Sequence, residues 1–163
     1  MQIVVKNKDT ILLDEFKFKC SLGKNGTTSN KIEGDLKTPK GTYSIGVLFY
    51  RKDKIIKVNT KLKKVPIKKN MHWCNDINSK YYNQLVINSK KGTHEKMYRN
   101  DSKYDLVIVI HYNTKKIIKN KGSAIFLHLT DDYQKTEGCI AIKKVDMLVL
   151  LKLINKNTKI KIN

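Results

Sequence analysis

The sequence predicts a mostly β fold with one helix in its C-terminal region, and three observations carry that expectation. Several short segments alternate apolar and polar residues with a period of two, the pattern of strands buried on one face. Two denser apolar runs, 105–110 and 124–129, fit strands covered on both faces. Only one stretch, 143–157, spaces its apolar residues as a helix does.

Taken in order, "QIVVK" (2–6) and "EFKFKC" (15–20) alternate cleanly and give the first strands. Residues 21–41 follow with Gly23, Gly26, Gly34, Pro39 and Gly41 and almost no large apolar residue, so a long surface loop is expected there. Loops of that length commonly carry function or are mobile, and whether 21–41 closes over a substrate is not legible from the sequence. "TYSIGVLFYR" (42–51) returns to the strand period. The stretch 61–99 holds Trp73, Tyr81, Tyr82, Tyr98, His72 and His94 without clean periodicity and reads as an irregular insertion over one face. "DLVIVI" and "AIFLHL" supply the central strands. The helix is drawn with an apolar stripe of Val145, Leu148, Val149 and Ile154 and a stop at Asn155 to Asn157, and "KIKIN" (159–163) closes the fold. No linker or internal repeat interrupts the chain, so residues 1–163 form one domain.

Composition narrows the function classes. A hydrophobic content of 40% excludes a disordered chain. The formal net charge of +20 favours phosphate-rich partners, and a basic nucleic-acid-binding module is one reading of it. Yet Arg51 and Arg99 are the only arginines among 34 basic residues, whereas phosphate and base-edge recognition uses the arginine fork. The lysines also run from Lys6 to Lys161 beside many Asn and Ile, as a base-composition bias would place them, so nucleic acid is the disfavoured partner. The N-terminal segment is broken by Lys6, Lys8, Asp9, Asp14 and Glu15 and lacks a signal-peptide core, and no stretch resembles a membrane span. A cytosolic location is therefore the default expectation, with the periplasm open to a chain exported by another route. Cys20, Cys74 and Cys139 are odd in number and form no CxxC pair, so neither a disulfide framework nor a zinc knuckle is expected. A metal site built from His72, Cys74, His94 or His128 lacks ligand spacing, and no cofactor is implied.

Chemistry concentrates in "IFLHLTDDYQKTEGCIAI" (125–142). A nucleophilic cysteine needs a base within reach and donors for the oxyanion that forms on attack. His128 sits in an apolar strand, and Gly138 lets the chain turn tightly before Cys139, so the amides of Glu137, Gly138 and Cys139 could converge as an anion nest flanked by Thr136. Each residue alone reads more simply as core filler; the pair together fits cysteine acyl transfer.

The ordered motifs "GDLKTPKGTY", "HWCND", "THEKMYRNDSKYDLVIVIHYN", "GSAIFLHL" and "TEGCIAI" resemble those of the L,D-transpeptidase catalytic domain, the YkuD family, and most closely its compact single-domain members. The resemblance implies a β-sandwich or barrel with an insertion over the active-site face, in a bacterial enzyme of cell-wall biogenesis acting on peptidoglycan stem peptides or muropeptides. It implies Cys139 as nucleophile, His128 as the base that makes and stabilises its thiolate, and the amides of Glu137, Gly138 and Cys139 as oxyanion hole. A thioester acyl-enzyme would form with release of a terminal D-amino acid. An amine acceptor then gives transpeptidation and water gives L,D-carboxypeptidase action, an alternative that suits a cytosolic trimming enzyme. Glu137 and Ala141 replace a His and an Asn or Arg of the broad family pattern, which leaves the grip on the substrate carboxylate open. Arg99 is the candidate, with Lys40 as a looser point charge. Thr136, Trp73 and His94 complete the candidate substrate-binding set, although Trp73 also reads as a packing residue and His94 as a brace. Oligomeric state is not legible.

Overall fold

A computed structural model describes residues 1–88 and 92–163; residues 89–91, within the expected insertion, lie outside the described residues. In chain order the strands are β1 (Gln2–Lys6), β2 (Thr10–Leu13), β3 (Phe16–Ser21), β4 (Thr27–Thr28), β5 (Thr38–Pro39), β6 (Gly41–Tyr50), β7 (Lys64–Pro66), β8 (Met71–Cys74), β9 (Leu85–Ile87), β10 (His94–Lys96), β11 (Leu106–Ile110), β12 (Phe126–Leu129), β13 (Ile140–Ile142) and β14 (Lys159–Ile162). The helix α1 (Lys144–Leu153) lies between the last two.

The main sheet runs β11-β12-β13-β3-β2-β1-β14-β6-β7, and β6 also pairs with β11, so the sheet closes on itself as a barrel. Strand alternation fills it. Ile3 and Val5, Ile11 and Leu13, Leu106, Ile108 and Ile110, Leu127 and Leu129, Ile140 and Ile142, and Ile160 and Ile162 form one buried cluster. Removing these side chains from water is the main force closing the barrel.

The helix adds Met147, Leu150 and Leu151 to that cluster, none of them in the stripe read from the sequence, while of that stripe Ile154 joins it at the C-cap and Leu148 and Val149 pack against it partly buried. Of that stripe Ile154 alone is fully buried, and Val145 is 68% exposed. The helix is apolar nearly all round, so several stripes of the same spacing compete and only the packing partner selects one.

The odd residues of β11 and the even residues of β12 point the other way. Val107, Val109 and Phe126 join Phe49, Ile67, Met71, Trp73, Met97, Tyr104 and Cys139 in a second cluster. It lies under a small antiparallel sheet of order β10-β8-β9. The expected irregular insertion is thus a second ordered layer. Its strands are only three or four residues long, too short for a period to declare itself.

The 21–41 segment is likewise more than a surface loop. β4 and β5 pair in parallel, the Gly23 amide donates to Thr38 Oγ1 at 2.8 Å in a buried setting, and Gly23 bridges Thr136. Leu22, Lys31 and Thr38 are buried. Polar bonds rather than apolar burial pin this segment, which is why an apolar count left it at the surface. Among the described residues no helix is long and apolar enough to cross a membrane.

Candidate active site

β12 and β13 run parallel with Leu127 opposite Ile140 and His128 opposite Ala141. Leu127, Leu129, Ile140 and Ile142 face the barrel core, so the pleat turns Phe126, His128 and Ala141 to the outer face, and Cys139 with them. The Phe126 amide meets Cys139 Sγ at 3.4 Å, which carries the same register one residue further. Cys139 and His128 both line a cavity of about 340 Å³, with the 136–138 turn along its edge.

That turn has a defined reason for its glycine. Gly138 adopts φ 146°, and a Cβ there would come 3.0 Å from the Lys37 carbonyl oxygen. Thr136 Oγ1 donates to the Cys139 carbonyl at 2.6 Å and accepts the Gly138 amide at 3.2 Å. The Gly138 amide is therefore engaged and does not offer its hydrogen to an oxyanion in this structure. The amides of Glu137 and Cys139 have no acceptor among the described residues.

Burial sets the charge state of Cys139 and His128. Cys139 is only 9% exposed, and burial first, then Glu95 and Glu137, pushes its thiol well above the ordinary thiol range. The thiol donates to the Ala124 carbonyl oxygen at 3.1 Å. Burial lowers His128 from 6.5 to about 4. The resting pair is then a neutral thiol and a neutral imidazole. His128 Nδ1 lies 2.8 Å from the Leu129 carbonyl oxygen, which can only accept, so Nδ1 carries the proton and Nε2 keeps its lone pair. A neutral imidazole with a free Nε2 is the form a general base requires. The Tyr104 ring packs edge-on against His128 at 5.3 Å, and its hydroxyl donates to the half-buried Glu95 carboxyl.

The remaining expected residues divide. Thr136 and Arg99 line the cavity, as does Ala141. The Arg99 guanidinium is already forked onto Asp101 at 2.6 and 3.0 Å and sits 5.1 Å from the Tyr104 ring centre. Trp73 and His94 do not line it. Trp73 is buried edge-on against Phe126 at 5.0 Å and donates its Nε1 hydrogen to Asn83 Oδ1 at 2.9 Å. His94 pairs with Cys74 across β8 and β10, with Nδ1 3.0 Å from the Gly92 carbonyl oxygen. Lys40 is exposed outside the cavity.

Lys31, Glu33 and Tyr104, which no sequence motif singled out, line the cavity, as does Glu95, the neighbour of His94. Lys31 is buried with its ammonium 2.5 Å from Asp35, and Glu33 accepts from the Tyr82 hydroxyl. The chain has four glutamates, Glu15, Glu33, Glu95 and Glu137, and three of them meet at this cavity. No local pattern announces that gathering; its one sequence signal is the rarity of glutamate in so basic a chain. Among the described residues no His, Cys, Asp or Glu cluster could hold a metal ion.

A solved structure from Bdellovibrio bacteriovorus, Bd1075, is similar over 99% of this chain at 15% sequence identity, with a TM-score of 0.48. The match spans 46% of that chain, so this chain is about half as long as that relative. No curated protein matches. Residues 2–162 match the family model for the L,D-transpeptidase catalytic domain, and the chain belongs to the YkuD family.

Proposed function

We propose that this domain is a cysteine-dependent acyl transferase on peptidoglycan stem peptides, with Cys139 as nucleophile and His128 as general base. The observation that carries the reading is the shared placement of His128 and Cys139 on the outer face of neighbouring parallel strands, lining one cavity beside two unengaged amides. Family membership supplies the substrate class.

The chemistry follows from the protonation states. With a stem peptide bound, His128 Nε2 takes the Cys139 proton as sulfur attacks the carbonyl carbon of the third stem residue. Negative charge gathers on the carbonyl oxygen, where the Glu137 and Cys139 amides are the donors at hand. The imidazolium returns the proton to the departing amine, the C–N bond breaks, and a terminal D-amino acid leaves a thioester on Cys139. An amine or a water then attacks that thioester with His128 again as base, giving transpeptidation or carboxypeptidase action. Arg99 and Lys31 supply positive charge for substrate carboxylates, and Glu33, Glu95 and Glu137 supply negative charge for ammonium groups.

Incubation with a disaccharide tetrapeptide tests the reading, with Cys139→Ala as control. A tripeptide product means hydrolysis, and a crosslinked dimer means transfer. Unchanged substrate, together with nucleic-acid affinity that falls steeply with salt and survives Cys139→Ala, would instead support the basic binding module.

A further inference from the structure

A second cavity, of about 370 Å³, opens between the outer face of β6 and β11 and the β8–β9 pair. It shares no lining residue with the Cys139 cavity. Val47, Phe49, Trp73, Leu85 and Val109 build apolar walls. Every charged side chain lining it is a lysine, Lys63 or Lys156, and both are exposed. The remaining polar group is His111. Its Nδ1 is 3.0 Å from Thr114 Oγ1, while its Nε2 edge lies against the bare backbone of Gly46, where an added Cβ would come within 2.7 Å of it.

An apolar cavity with a few polar groups at one place is the ordinary form of a small-molecule site, and this volume falls inside the usual range. Engineered apolar cavities of about 150 Å³ take a benzene ring, so by that scale this one takes an alkyl chain of roughly a dozen carbons. Lysines without an acidic counterpart on the lining, in a chain of net charge +20, select an anionic head group. We propose that this cavity is a binding site for a single-chain anionic amphiphile of the fatty-acid class, its tail packed on Trp73, Val47 and Val109 and its carboxylate held by Lys63 and Lys156. The site is independent of the chemistry at Cys139.

Trp73 is the chain's single tryptophan and lines this cavity, so its fluorescence reports occupancy directly. Laurate, titrated below its micelle-forming concentration into the full chain, should change Trp73 emission saturably with one-to-one stoichiometry. Glycerol monolaurate, uncharged and of equal chain length, should bind at least tenfold more weakly. The double charge reversal Lys63→Glu/Lys156→Glu should weaken laurate at least tenfold, and Val47→Phe, which fills the cavity, should do the same. Absence of a saturable change would overturn the proposal, as would equal affinity for the uncharged analogue or for the charge-reversed protein. Should Val47→Phe fail to fold, the surface reversal and the analogue decide the matter alone.

Discussion

The thiol of Cys139 donates to the carbonyl oxygen of Ala124 at 3.1 Å, and Ala124 holds the left-handed φ of 52° to present it. Asn83 enforces that backbone. Its buried Oδ1 accepts from the Ala124 amide at 3.0 Å and from Trp73 Nε1 at 2.9 Å, while its Nδ2 donates to the Tyr112 and Asn113 carbonyls. One side chain thus ties β8, the Asn113 turn and the approach to β12 to Cys139. Asn83→Ala should cost about 3 kcal/mol or more in denaturant unfolding, because each buried orphan costs about 1–3 kcal/mol.

Gly138→Ala should separate catalysis from the mere presence of the sulfur. The φ of 146° disfavours any side chain, and the new Cβ would press on the Lys37 carbonyl at 3.0 Å. Strain of about 1–3 kcal/mol should lower Tm by roughly 3–8 °C in a chain of this size. Activity should fall further than the stability loss explains, since the turn that aims the Glu137 and Cys139 amides shifts.

Stability should fall in acid in part through the His128 imidazole. His128 is lowered from 6.5 to about 4 in the fold, so between those values the unfolded chain binds a proton that the native chain refuses. Its contribution is complete above pH 6.5 and declines as pH drops to about 4, by about 3 kcal/mol. Urea unfolding of wild type and His128→Gln across that range checks it: the variant should show a shallower decline.

Arg51 should prove an anchor for Arg99. Its guanidinium forks onto Asp53 at 2.8 and 2.6 Å, lies 3.6 Å from the Tyr98 ring centre and donates to the Arg99 carbonyl. Lysine cannot span the carboxylate and the carbonyl together. Arg51→Lys should cost about 1–3 kcal/mol in thermal unfolding and raise KM more than it lowers kcat, because the segment that carries Arg99 to the cavity loosens.

What was legible from sequence was the strand period and the dense apolar run. β1, β3, β6 and β14 fall where apolar alternation places them, and β11 and β12 fall within the two dense runs because both their faces are covered. The strands β8 to β10 were illegible because three or four residues cannot show a period. His128 and Cys139 could be paired from an odd histidine in an apolar strand beside a glycine turn. Glu95, Glu33 and Lys31 could not, because they arrive from 31–33 and 95, far from 128–139 in the chain, and only the closed topology brings them to one cavity. The charge state of the pair was also hidden, because it depends on burial that no local motif encodes.

A covalent bond from substrate to one sulfur is the central claim. Intact-protein mass spectrometry after mixing with disaccharide tetrapeptide and acid quench should show wild type carrying the acyl fragment on Cys139, formed on the order of 10² or more times slower in His128→Gln and absent in Cys139→Ala. Turnover of the same substrate by Cys139→Ala at the wild-type rate, or an adduct mapping to Cys20 or Cys74 instead, would contradict it.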